Sequence, residues 1–222
     1  DTNDYVANIV STAAIIVFVL LLPLDPLPAN VAAFFIFADP ALIGLSFIGA
    51  IVMMEKASRV LSALGVTPSP PGVYVASKTL TMSVNGILSG LAVAWFALDG
   101  QFDWPLMMLA LALSNPVAVL MGFAIVARAP SMNGLMIFLL FGTSVLFIPL
   151  LAHFGLIAEP ASWVCAVIPS YAMLLSFEGA ADPSLLSQVE WTYAIGYQIL
   201  WIIFGWIWAM REFKQSIVSE RR

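Results

Sequence analysis

The sequence predicts an all-α polytopic membrane protein with six transmembrane helices and both termini on the cytoplasmic side. Three observations carry that expectation. Of the 222 residues, 62% are apolar and only 9% charged, with a mean hydropathy of +1.00; a soluble domain averages roughly 45–50% apolar and about 25% charged. The apolar residues gather in runs long enough to cross a hydrocarbon core, which takes about 20 residues per helix. The cations fall in alternate connections between those runs, as they do where Lys/Arg bias sets orientation.

Residues 1–222 read as one transmembrane domain with spans at 6–23, 31–54, 79–98, 104–127, 134–152 and 191–210. The first span follows Asp1 and Asp4 with no cation before it, which is not the pattern of a secretory signal. A start at Asp1 rather than Met leads to the expectation that an N-terminal piece has been lost. Pro23-Leu-Asp-Pro-Leu-Pro28 closes the first span. The second carries Asp39-Pro40 in its outer part and ends at Glu55-Lys56.

Residues 55–78 form the expected cytoplasmic connection. Val60, Leu61 and Leu64 fall on one side of a short helix, and Lys56, Ser58, Arg59 and Ser62 largely on the other. Gly65 suits its C-terminus, and Pro68, Pro70 and Pro71 forbid continuation. Tyr74 is expected to begin a turn leading to Lys78 and the third span. Such a helix has two readings, a docking element for a cytosolic partner or a segment lying on lipid headgroups.

In the third span Gly86, Ser89 and Gly90 allow close approach of a neighbour. Asp99-Gly-Gln101 is turn chemistry. Asn115-Pro116 is expected to break the fourth span midway, marking either a site or a kink. The stretch Trp163–Phe177 is too short for a full span and holds Pro169 near its middle. Residues 163–185 are therefore expected to form a re-entrant or interfacial segment between the fifth and sixth helices. It would dip into the outer leaflet and pack on those two spans. The sixth span ends in Trp201, Trp206 and Trp208 and then Arg211, Lys214, Arg221 and Arg222, the aromatic-then-cationic order of a helix leaving the membrane.

With the N-terminus inside, these four, Lys56, Arg59, Lys78 and Arg128 all face the cytoplasm. The other side carries Asp25, Asp99, Asp103, Glu159, Asp182 and Glu190. Counting 163–177 as a seventh span would put the C-terminal cations outside, against that bias.

Eight Lys+Arg against thirteen Asp+Glu give net −5, no electrostatic footprint for a nucleic acid. One Cys and one His build no zinc or haem site unaided. The chain has no Gly-rich Lys-Ser/Thr loop to cradle ATP. Ser46 and His153 invite a serine-protease reading, but the topology sets them in opposite halves of the membrane, out of hydrogen-bond reach. Asn85, Asn115, Thr143 and Ser144 lie within spans, as interhelical hydrogen-bonding groups or as the lining of a pathway. Asp39 and Glu178 are functional candidates because an ionisable group in a membrane is one by default, though each is placed to reach the interface and hydrate. No basic residue is buried, which favours a neutral or cationic amphipathic cargo.

Several of these segments resemble a known family. Glu55-Lys56 through Leu64, Val66-Thr67-Pro68, Tyr74 and Lys78 are similar to the membrane-exit signature of ABC-2-type transporter permeases. Phe37-Ala-Asp-Pro-Ala-Leu-Ile-Gly-Leu-Ser-Phe47, Ala127-Arg-Ala-Pro-Ser-Met-Asn133 and Ile168-Pro-Ser-Tyr-Ala-Met-Leu-Leu175 extend the likeness. Together they are most similar to the small permeases of the fluoroquinolone-exporter type, over about 20–215 and most strongly at 37–80. The chain departs from the pattern in lacking a basic amphipathic helix before the first span and in the extra prolines of 67–72. Heme-exporter B-type permeases are a looser match over 112–150. A stand-alone secondary transporter or channel would need ionisable relays or an inverted repeat, and 6–98 and 104–210 share no motif.

The resemblance implies a permease subunit that is not itself an enzyme and holds no cofactor or metal. ATP and Mg would sit on a separate cytosolic nucleotide-binding ATPase subunit. That partner would dock through Glu55, Lys56, Arg59, Leu61, Leu64, Thr67 and Pro68. A second permease subunit, identical or related, would complete a pathway for export of a hydrophobic or amphipathic substrate, as in multidrug efflux. The setting implied is the lipid bilayer of a prokaryotic cytoplasmic (inner) membrane, crossed many times.

Overall fold

An apolar segment in lipid has to satisfy its backbone hydrogen bonds internally, so it becomes a helix. The computed structural model describes residues 2–22, 27–39, 44–58, 71–129, 131–157 and 162–220, and over these it contains helices and no strand. In chain order they are α1 (Thr2–Leu21), α2 (Ala29–Asp39), α3 (Leu45–Ala57), α4 (Pro71–Ala97), α5 (Trp104–Ala127), α6 (Met132–His153), α7 (Ser162–Cys165), α8 (Pro169–Ala181) and α9 (Gln188–Glu220), with a 3-10 turn at Pro183–Leu185. Four of them are long and apolar enough to cross a membrane: α4, α5, α6 and α9. Ile9–Leu21 of α1 and the whole of α2 are shorter apolar pieces.

Several element boundaries differ from expectation. The run 31–54 is two helices rather than one, because α2 ends at Asp39, where the following Pro40 disfavours the helical conformation. The helix of the third expected span, α4, begins at Pro71, eight residues before 79. Proline suits a first helical position, its missing N–H being one that the helix leaves unpaired anyway. Tyr74 and Lys78 therefore lie one turn apart on a helix, not in a turn. Asn115-Pro116 does not break α5, which runs through Pro116 to Ala127. The 163–185 segment is two helices, α7 and α8, with Pro169 opening the second.

Caps follow side-chain chemistry. Asp103 Oδ1 accepts from the Leu106 N–H at 3.0 Å and Ser131 Oγ from the Gly134 N–H at 3.2 Å, starting α5 and α6. Ser187 and Glu190 form a reciprocal box before α9: the Ser187 N–H donates to Glu190 Oε2 at 2.7 Å and the Glu190 N–H to Ser187 Oγ at 3.3 Å. Asp99 and Gly100 turn the chain with φ of 48° and 70°.

Helix α5 is the centre of the bundle. It packs on α3, α4, α6, α8 and α9, and 67% of its apolar window is buried, against 22–39% for the other three long helices. Its approach to α4 is closest at Gly86 and Gly90. A Cβ at Gly86 would lie 1.9 Å from Asn115 Oδ1, and one at Gly90 2.4 Å from Leu111 Cδ2. Helix α8 is enclosed by α2, α5, α6 and α9, with Ala172 through Phe177 all buried.

Backbone contacts define one end of the bundle. The Leu27 N–H donates to Ala97 O at 3.1 Å and the Asp103 N–H to Ala180 O at 3.0 Å. The opposite end gathers the C-terminus of α3, the start of α4, the 128–131 connection and the region of α9 around 206–213.

Candidate functional site

At that second end, a charged cluster joins α3 to α4. Both oxygens of Glu55 are engaged: Lys78 Nζ donates to Oε1 at 2.6 Å, and the Tyr74 hydroxyl donates to Oε2. The i, i+4 spacing of Tyr74 and Lys78 puts both on one face of α4, and Glu55 comes to that face from the last turn of α3. The Tyr74 ring is sandwiched into the bundle. It stacks on Phe213 of α9 at 4.8 Å with an interplanar angle of 7°, and meets Phe123 of α5 edge-on at 6.1 Å. Four helices thus meet through one tyrosine. Beside them Arg128, at the end of α5, pairs with Glu212 of α9, whose Oε1 also accepts from Trp208 Nε1 at 3.2 Å. Arg128 lies over the Trp208 ring, 5.8 Å from its centroid. The hydrogen bond to Glu212 raises the pKa of the exposed Arg128 guanidinium above its ordinary value.

Of the residues expected to couple to a partner, Glu55 is in this cluster. Lys56 belongs to α3, and its side chain lies outside the described residues. Arg59, Leu61, Leu64, Thr67 and Pro68 also lie outside them. The described chain leaves that segment at Ser58 and rejoins it at Pro71, and the Glu55–Tyr74–Lys78 cluster ties the two sides together.

The four polar residues named as pathway or packing candidates do not converge. Asn115 is buried between α4 and α5, its Oδ1 over Gly86 and its Nδ2 donating to Leu111 O at 3.0 Å. Asn85 is half-buried on α4. Thr143 lines an apolar groove of about 460 Å³ between α3 and α6, with Phe47, Ala50 and Leu139. Ser144 is exposed on α6 and donates back to Leu140 O at 2.8 Å.

Two buried polar clusters were not legible as such. Gln198 of α9 is fully buried and joins three helices. Its Oε1 accepts from Ser114 Oγ of α5 at 2.8 Å, and its Nε2 donates to Ser176 Oγ of α8 at 3.2 Å and to Ala194 O at 3.1 Å. The signal available was a single amide within an apolar run. The second cluster surrounds Asp39. Rather than reaching an interface, this carboxyl is fully buried, in contact with Ser89 Oγ of α4 and Thr12 Oγ1 of α1, the latter at 3.2 Å.

The other end holds the single histidine. His153 Nε2 lies 3.1 Å from Asn30 O, and since a carbonyl only accepts, that nitrogen carries a hydrogen. Nδ1 lies 3.5 Å from Glu178 Oε2. Burial pushes the Glu178 carboxyl above its ordinary range; His153 opposes that rise and Glu190 adds to it. Nearby, Trp163, Tyr171, Glu190 and Tyr193 line a cleft of about 470 Å³ between α7–α8 and α9. The Tyr193 and Tyr197 hydroxyls donate to Ala166 O and Val167 O, both at 2.5 Å, and hold the α7–α8 connection against α9.

The fluoroquinolones export permease protein family is matched over residues 3–221, nearly the whole chain. No curated protein and no solved structure matches.

Proposed function

The chain belongs to the fluoroquinolones export permease family, and from that premise we propose that it is the membrane subunit of an ABC-2-type exporter driven by a separate ATPase. As a membrane permease it has helices of spanning length and apolarity. On this reading a cytosolic nucleotide-binding subunit, carrying ATP and Mg, docks on 55–72 and a second permease subunit completes the pathway. The substrate is hydrophobic or amphipathic. This subunit performs no chemistry of its own, and the setting is the cytoplasmic membrane of a prokaryote.

The observation that carries the reading is the Glu55–Tyr74–Lys78 cluster. It is made of the same residues that resemble the ABC-2 membrane-exit signature, and it joins the C-terminus of α3 to the start of α4, on either side of the segment proposed to dock. A segment whose two ends are tied together would transmit displacement to α3 and α4 instead of absorbing it. Stacking of Tyr74 on Phe213 extends that path to α9. Nucleotide on the partner then biases one arrangement of helices over another through its differential affinity for the two.

The test is copurification. Replacing Leu61 and Leu64 together by Asp should abolish recovery of the nucleotide-binding subunit and its stimulated ATPase while leaving membrane insertion intact. Recovery at normal stoichiometry would mean that 55–72 lies on headgroups and that docking occurs elsewhere, at 128–133.

A further inference from the structure

The packing of α2 against α1 and α4 encloses a carboxyl group for which the exporter reading has no use. Asp39 is the last residue of α2, at the break before α3, and is fully buried. Thr12 Oγ1 donates to its Oδ1 at 3.2 Å, and Ser89 Oγ is in hydrogen-bond contact with its Oδ2. Among the described residues no cation pairs with it: Lys78 is bound to Glu55, Arg128 to Glu212, and His153 faces Glu178. The described side chains of α1 include no titratable group, and α5 has none. Those of α4 are Tyr74 and Lys78, both on Glu55. Those of α8 are Glu178, beside His153, and Tyr171, against Tyr193.

An ionised carboxylate buried in a membrane protein with two hydroxyls, and with no counter-charge among the described residues, carries a heavy desolvation cost, and such a group takes up a proton instead. The hydrogen count fits a neutral acid. Ser89 Oγ lies 3.1 Å from Gly86 O, which only accepts. One hydroxyl hydrogen serves one acceptor, so with that hydrogen on Gly86 O, the hydrogen between Ser89 and Asp39 belongs to the carboxyl group.

We propose that Asp39 is a proton-binding site, held in this conformation as a neutral carboxylic acid whose Oδ2–H donates to Ser89 Oγ. The Ser89 hydroxyl in turn donates a hydrogen bond to Gly86 O, and Thr12 donates to Oδ1. The donors and acceptors come from α1, α2 and α4, so the site exists only while these helices are packed. Separating them admits water and lets the proton leave. Proton binding and α1–α2–α4 packing are therefore linked, and the linkage is reciprocal.

The test is infrared difference spectroscopy of the purified chain in phosphatidylcholine vesicles, wild type against Asp39→Asn. Asparagine offers an N–H in place of the O–H and an oxygen in place of Oδ1, so it retains both hydrogen bonds. At neutral pH the wild type should show the carbonyl-stretch band of an un-ionised carboxylic acid that the variant lacks. In Ser89→Ala, where that acid loses its acceptor, the band should shift to higher frequency. The proposal is overturned if the difference spectrum contains only carboxylate bands, or if Ser89→Ala leaves the band in place. It is equally overturned if sodium at constant pH abolishes the band, which would make the site one for an alkali cation. No ATPase subunit is needed, so the outcome is independent of the exporter reading.

Discussion

Asn115 occupies the space that any side chain at position 86 would need. Alanine at 86 would place Cβ 1.9 Å from Asn115 Oδ1, and overpacking of this kind costs about 1–3 kcal/mol. Gly86→Ala should destabilise by that order in reversible unfolding from mixed micelles, and adding Asn115→Ala should recover most of the loss. A stabilising Gly86→Ala, as backbone entropy alone would give, would mean that α4 and α5 do not meet here. The sequence identified Gly86 and Gly90 as places of close approach, because small residues are what permits it. It grouped Ser89 with them for its size, whereas Ser89 acts through its hydroxyl on Asp39. Gln198 went unremarked for a related reason. Its partners Ser114 and Ser176 lie 84 and 22 residues away, and no local pattern announces a hydrogen bond across that separation.

Among the elements, the junction of α3 and α4 carries the functional argument. Glu55, Tyr74 and Lys78 stood in the sequence as members of a signature, with Tyr74 expected in a turn. Their geometry was not legible there, because it depends on α4 starting at Pro71 so that Tyr74 and Lys78 share a helical face. The ion pair has a direct consequence. Glu55→Lys should leave the complex assembled yet weaken coupling between substrate and ATPase, and Glu55→Lys with Lys78→Glu should restore much of it. Substrate-stimulated ATPase of the reconstituted complex measures both. Failure of the swap to rescue, with assembly normal, would show that the pair does not transmit motion. A similar contrast holds at Asp39-Pro40. The dipeptide was seen, but composition alone counted 31–54 as one apolar run, since hydropathy does not register a proline's effect on the residue before it.

At the scale of the molecule, charge and packing divide the bundle in the same way. Lys78 and Arg128 lie at the end built from α3, α4, α5 and α9, while Asp103, Glu178 and Asp182 lie at the end where α8 meets α2 and α6. On the Lys/Arg bias, the first end is expected to face the cytoplasm. In a chain lacking Cys165, Gln101→Cys and Ala158→Cys should react with an impermeant thiol reagent added outside intact cells. Ser69→Cys and Ser131→Cys should react only after permeabilisation. External labelling at 69 would invert the orientation and remove the docking argument with it.

The sequence by itself determined the helical class, the membrane setting and the segregation of charge. These follow from composition and from periodic runs, which are local or additive properties of the chain. It also located the family resemblance, because a signature is a matter of residue order. Only the tertiary structure decided that α5 is the centre and that α8 is enclosed by four helices. It alone decided that Glu55, Tyr74, Lys78 and Phe213 meet, and that Asp39 is buried with Ser89 and Thr12. Those facts depend on which faces of distant helices pack together. In lipid that choice rests on close van der Waals fit and a few buried hydrogen bonds rather than on hydrophobicity, because the lipid tails are as apolar as the helix faces.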